Sequence, residues 1–151
     1  MGQIFVEQSA VIPAPPEKVY AILSDYRVGH PAILPRPYFR ELAVEEGGQG
    51  AGTVLRVQME VMGVKQSYHM RVSEPEPGRI LVEEDPEAGV KTTFTVAPLN
   101  GGLRSLVTIA TASRTSPGLR GLIERLVNPP LTRRIYRQEL QQLSDYVQRI
   151  E

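Results

Sequence analysis

The chain has no cysteine and only two histidines among its 151 residues, and its basic and acidic side chains, 17 of each, cancel. Without cysteine there is no thiol nucleophile, disulfide or thiolate metal site, and such a composition fits a reducing compartment. Neither His30 nor His69 stands at a metal-site spacing from a carboxylate, so no metal is expected. Glycine-rich phosphate cradles and the GxSxG elbow are missing too, so no cofactor is expected. Zero formal charge gives no general pull toward nucleic acid, and no nucleic-acid partner is expected. No apolar run reaches the length of a membrane span, and the first residues, MGQIFVEQS, lack a basic start and an apolar stretch. The expectation is a soluble, cytoplasmic protein without integral membrane association.

What is present is two kinds of periodicity. Ile4, Val6, Ala10 and Ile12 alternate with polar residues, as in a half-buried strand. PAPPEKVYAILSDY follows, with Pro15 and Pro16 at a helix start and Val19, Tyr20, Ile22 and Leu23 at helical spacing. A second short helical turn is expected at Pro31 to Leu34, inside a loop rich in Pro and Gly. Period 2 then returns in six segments: Tyr38 to Glu46, Thr53 to Met62, Lys65 to Glu74, Arg79 to Asp85, Val90 to Pro98 and Leu103 to Ala112. Turns this short join antiparallel neighbours only.

From Ser116 to Glu151 the spacing is helical again, with Leu119, Leu122, Ile123, Leu126, Val127, Leu131, Ile135, Leu140, Leu143, Val147 and Ile150 as its apolar stripe. Asn128-Pro129-Pro130 predicts a kink or restart, with Asn128 as N-cap of the second half. The first half is expected to roof whatever lies on the sheet, the second half to clamp the sheet's far end beside the first strand. At this length roughly 70% of the unfolded surface is buried in one core, so residues 1–151 read as a single domain. The fold class is α+β, a curved antiparallel sheet of about seven strands wrapped round a long C-terminal helix, with two short helices after the first strand.

The runs IPAPPEKVYAILSDY, HPAILP, GQGAGTVLRVQMEV and RVSEPEPGRILVEED, followed by the long helix, resemble the START/Bet v 1-like (SRPBCC) superfamily of helix-grip proteins, and within it the polyketide cyclase/dehydrase-like group. The likeness covers essentially the whole chain. It implies a hydrophobic pocket between sheet and helix. It does not imply one activity, because that superfamily holds lipid carriers, cyclases and hormone receptors.

Strand alternation selects the side chains that face the helix. Leu55, Val57, Met59 and Val61 form one inward set; Tyr68, Met70 and Val72 form the next, followed by Val90, Phe94, Val96, Val107 and Ile109. With Leu122 and Leu126 from the helix and His30 from the loop at the expected mouth, the candidate ligand-binding residues are His30, Leu55, Val57, Met59, Tyr68, Met70, Phe94, Ile109, Leu122 and Leu126. Met59, Met62 and Met70 would add an adaptable apolar surface. The competing reading is a filled core. His69 and Arg71 fall on the outward phase unless a one-residue slip turns them inward. Gln8 and Thr92 fall inward and need partners, from the protein or from a ligand. Asp25 is read as organising its loop. Glu83, Glu84, Asp85 and Glu87 are read as a solvated strand end, and Glu124 and Glu139 as part of a solvated helix face with Arg114, Arg120, Arg125, Arg133, Arg134 and Arg137.

No catalytic constellation stands out, and catalytic residues stay unassigned. The sequence therefore favours a protein that binds or carries a hydrophobic small molecule such as a lipid, isoprenoid, quinone or polyketide-like compound. The alternative is a cyclase or dehydratase acting in the same cavity, with Tyr68, His30 or His69 as acid or base; it requires an ionisable group inside the pocket. A further alternative is docking to a macromolecular partner through the arginine-bearing helix.

Overall fold

The computed structural model describes residues 3–36, 38–114 and 119–150, the side chains of 119–128 excepted. Strand β1 (Gln3–Ile12) is followed by helices α1 (Pro16–Ser24) and α2 (Gly29–Ile33). Strands β2 (Phe39–Glu46), β3 (Val54–Val61), β4 (Val64–Glu76), β5 (Ile80–Asp85), β6 (Val90–Leu99) and β7 (Arg104–Arg114) come next, then helix α3 (Leu119–Arg149). The strands form one antiparallel sheet in the order β1-β7-β6-β5-β4-β3-β2. Six consecutive strands meander, and β1 joins the far edge by pairing with β7.

Short turns enforce that meander. Val61 pairs with Val64, so Met62 and Gly63 alone make the β3–β4 turn, both with positive φ (51° and 80°). A two-residue turn of this kind follows the right-handed twist of its strands. Gly29 matters for another reason: a Cβ there would stand 2.6 Å from the Ile22 carbonyl oxygen, so only glycine lets α2 pack this closely on α1. Val19, Tyr20, Ile22 and Leu23, the apolar face of α1, are all buried.

Helix α3 runs along β1 and against α2. It is one continuous helix through Pro129 and Pro130, so Asn128 is interior and does not cap a second helix. Each proline removes one intrahelical N–H, and the rest of a 31-residue ladder and its packing hold the helix across the gap. Its C-terminal half contributes Leu140, Leu143 and Val147 to the main core, beside Ile12, Val19 and Val107.

Candidate functional site

Described residues of α2, the sheet and the middle of α3 leave a space between them. A cavity of about 450 Å³ lies there, within the range of small-molecule sites. Its apolar walls come from the inward phases of the strands: Phe39 and Leu42 of β2, Val57, Met59 and Val61 of β3, Met70 of β4, and Val90 and Phe94 of β6. Leu131 and Ile135 of α3 form the roof. At the β3–β4 turn Met62 and Val64 rim it while largely exposed, Met62 at 79%.

Of the residues selected from the sequence, His30, Val57, Met59, Tyr68, Met70 and Phe94 are brought together on this cavity. Leu55 and Ile109 are not: both point inward but are fully buried in the packed core outside the lining. Leu122 and Leu126 lie outside the described side chains. The division of the helix also moves. Leu131, Ile135, Tyr136 and Glu139 face the cavity although they follow the prolines, so the clamping part begins only at Leu140.

His30 sits deeper than a pocket mouth. It lies on α2, 2% exposed, with its backbone N–H donating to Asp25 O at 2.7 Å and Nδ1–H to Leu23 O at 2.7 Å. Its ring stacks on Tyr26 at 4.7 Å between centroids and meets Phe94 edge-on at 5.3 Å. With Nδ1 engaged, Nε2 is left toward Glu83, whose Oε2 is 3.6 Å away. Asp25, as expected, organises the loop: its Oδ1 accepts from the backbone N–H groups of Arg27 and Val28.

Glu83 corrects the reading of its segment as solvated. It is 9% exposed, lies on the same face of β5 as buried Leu81, and pairs across the strand with Thr92. Tyr26 donates its hydroxyl to Glu83 Oε2 at 2.7 Å. Burial, then the charge of Glu83, holds the Tyr26 hydroxyl well above its usual range. Asp85, on the same phase, is buried too; its desolvation is outweighed by backbone N–H groups of His69, Ala88 and Glu87, which hold the carboxyl below the usual range. Glu84 and Glu87 are exposed, as expected.

Glu139 is the second correction. It is 2% exposed and lines the cavity instead of standing on a solvated face. Burial first, and the facing Glu83 second, push its carboxyl well above the carboxylate range. One turn earlier, the Tyr136 hydroxyl bonds Thr111 Oγ1, which bonds Thr92 Oγ1 at 2.7 Å. Thr92 and Thr111 are cross-strand partners, so register alone juxtaposes them, and Thr92 is satisfied within the protein. Burial also raises the Tyr136 hydroxyl.

His69 stays outside. It pairs in register with Arg56, and both reach Glu45, from His69 Nε2 at 2.8 Å and Arg56 Nε at 3.2 Å. No slip turns it or Arg71 inward. Gln8 is half-buried on β1 opposite Ile109, and Arg133, Arg134 and Arg137 are exposed on α3.

An antiparallel sheet of seven strands, two short helices after the first strand and a long closing helix together define the helix-grip class of START and Bet v 1-like proteins. The chain belongs to the polyketide cyclase / dehydrase and lipid transport family, whose model matches residues 3–148. Among solved structures it is similar to the KanY protein, with 30% identity, a TM-score of 0.84, and coverage of 98% of this chain and 99% of that one. The Zhui aromatase/cyclase from Streptomyces sp. R1128 superposes with a TM-score of 0.76 at 19% identity, covering 98% of this chain and 95% of that one. A START superfamily protein from Mycobacterium smegmatis does so at 0.69 and 15% identity, covering 99% of this chain and all of that one (100%). Comparison with curated proteins gave no match. Among the described residues no helix is long and apolar enough to cross a membrane.

Proposed function

We propose that this chain is a single ligand-binding domain that holds a hydrophobic small molecule, of lipid, isoprenoid, quinone or polyketide-like kind, between its sheet and α3. The observation that carries this reading is the cavity itself, about 450 Å³, with apolar walls from β2, β3, β4, β6 and α3 and polar side chains set among them. Membership of a family described by both cyclisation and lipid transport agrees with it. The direct test is native mass spectrometry and solvent extraction of protein purified from its own host. A co-purifying apolar molecule is expected, and a protein that is empty and also fails to take up an uncharged apolar dye such as N-phenylnaphthylamine would sink the reading. Val57→Trp should weaken that dye's binding by roughly tenfold or more, because the indole occupies the ligand's space. Its cost in urea-unfolding stability should stay below about 1 kcal/mol, since it fills a void and not a packed core.

A second reading, a cyclase or dehydratase in the same cavity, is favoured by the two carboxyls in unlike environments. Glu139, whose burial favours the protonated form, is suited to give a proton to a departing hydroxyl, and Glu83 or His30 to accept one from the neighbouring carbon. On an aryl β-hydroxyketone this eliminates water and leaves a conjugated enone. Enone absorbance appearing with wild-type protein and lost in Glu139→Gln supports this reading; no absorbance above the uncatalysed rate across a panel of such ketones counts against it.

A further inference from the structure

The polar side chains His30, Glu83, Thr92, Thr111 and Tyr136 of the cavity lining are all committed to partners within the protein. Tyr26 is taken by Glu83, Tyr136 by Thr111, Thr92 by Thr111, and His30 Nδ1 by Leu23 O. At the mouth the Tyr68 hydroxyl donates to Gln66 Oε1 at 2.5 Å. Glu139 stands apart: although 2% exposed, its carboxyl takes no hydrogen bond from any described residue. No side-chain N or O sealed away from open space lacks a partner among the described residues, so the Glu139 oxygens open onto the cavity. A buried polar group in that position costs stability unless something completes it.

We infer that Glu139 reads the polar end of the bound molecule, donating a hydrogen bond to an uncharged acceptor oxygen such as that of a ketone, ester or quinone, and with Glu83 turns organic carboxylates away. This rests on the cavity being a ligand site. The titratable groups coupled to Glu139 are Glu83 from β5, Tyr26 from the loop after α1 and Tyr136 from its own helix; His30 of α2 lines the same cavity, and no Lys or Arg is among the described lining residues. Glu83 is already engaged by the Tyr26 hydroxyl and lies 3.6 Å from His30 Nε2, and a second bare carboxylate nearby has no Lys or Arg to balance it, so burial and the facing Glu83 favour the protonated form of Glu139. A protonated carboxyl is a donor that needs an acceptor, which an uncharged carbonyl supplies. An incoming carboxylate brings a further negative charge into an apolar cavity that offers it no Lys or Arg. An ammonium would first have to displace the Glu139 proton.

The test uses four naphthalenes substituted at one ring position: ethylnaphthalene, acetylnaphthalene, naphthoate and naphthylmethylamine. Each is titrated calorimetrically into wild type, Glu139→Leu and Glu139→Gln, with thermal unfolding to establish that each variant is folded. In wild type at neutral pH the ketone should bind about tenfold tighter than the hydrocarbon, the worth of one hydrogen bond to a desolvated partner, and naphthoate weaker than either. Glu139→Leu should erase the ketone's advantage and keep hydrocarbon binding; Glu139→Gln, which retains a donor, should preserve it. Raising the pH should diminish the advantage in wild type and not in Glu139→Gln, a difference that a purely structural glutamate would not make. Equal binding of ketone and hydrocarbon overturns the inference alone, as does tightest binding by naphthoate or the amine, or a ketone preference that survives in Glu139→Leu. Failure of all four, hydrocarbon included, overturns the cavity reading and this inference with it.

Discussion

Leu140→Ala and Leu143→Ala are each expected to lower unfolding stability by about 2–5 kcal/mol, whereas Leu131→Ala on the same helix should cost less than about 1 kcal/mol. Leu140 and Leu143 are fully buried in the main core. Truncating either leaves a hole in the cluster that also holds Ile12, Val19 and Val107. Leu131 is half-buried and borders a void that already exists, so its loss enlarges an opening and removes fewer contacts. Against a typical stability of about 5–15 kcal/mol, the first two changes together should leave little folded protein at room temperature. Urea titration of the three single variants measures this; equal losses at 131 and 143 would mean that the helix does not divide at Glu139.

The second large effect is a pH dependence. In the unfolded chain Glu139 titrates near the ordinary value of 4.5, and in the folded chain well above it. Between those two values the folded state binds one more proton than the unfolded state. Stability from this group is therefore complete below about pH 4.5 and is lost as pH rises through the folded value, by at most about 1.4 kcal/mol per pH unit. Glu139→Gln does not titrate and should lack that slope. Asp85, lowered in the fold, acts in the opposite sense and only toward acid; it is common to both proteins and cancels in their difference. Urea unfolding of both proteins between about pH 5 and pH 8 is the measurement, and parallel curves would show that Glu139 ionises as readily folded as unfolded.

The strands were legible because alternation and short turns leave little choice: each boundary read from the sequence lies within two residues of the structure, and the inward phases of β3, β4 and β6 are those observed. The continuity of α3 was not legible, because two adjacent prolines argue locally for a break and only the rest of the helix and its packing oppose it. The two carboxyls were hidden for another reason. For Glu83 and Glu139 charge says surface; their phase says otherwise. Glu83 is two residues from Leu81 on one face of β5, and Glu139 is one helical turn from Ile135 and from Leu143. A charged residue exactly in register with an apolar stripe is the available signal for a polar group placed inside. Nothing in period or spacing distinguishes Val57, which borders open space, from Leu55, which is packed, because that depends on where α3 lies above the sheet.

The pairing of β1 with β7 has a bearing on how the molecule is made. The six meandering strands find their partners by local turns as the chain emerges, but the first strand must wait for the seventh, and the roof over the concave face comes later still. Until α3 has been synthesised, Val57, Met70, Phe94 and Ile109 stand on a half-finished, uncovered apolar surface. A nascent chain stalled before α3 therefore exposes the apolar face that the finished chain turns inward, and is a natural client for a chaperone that binds extended apolar patches.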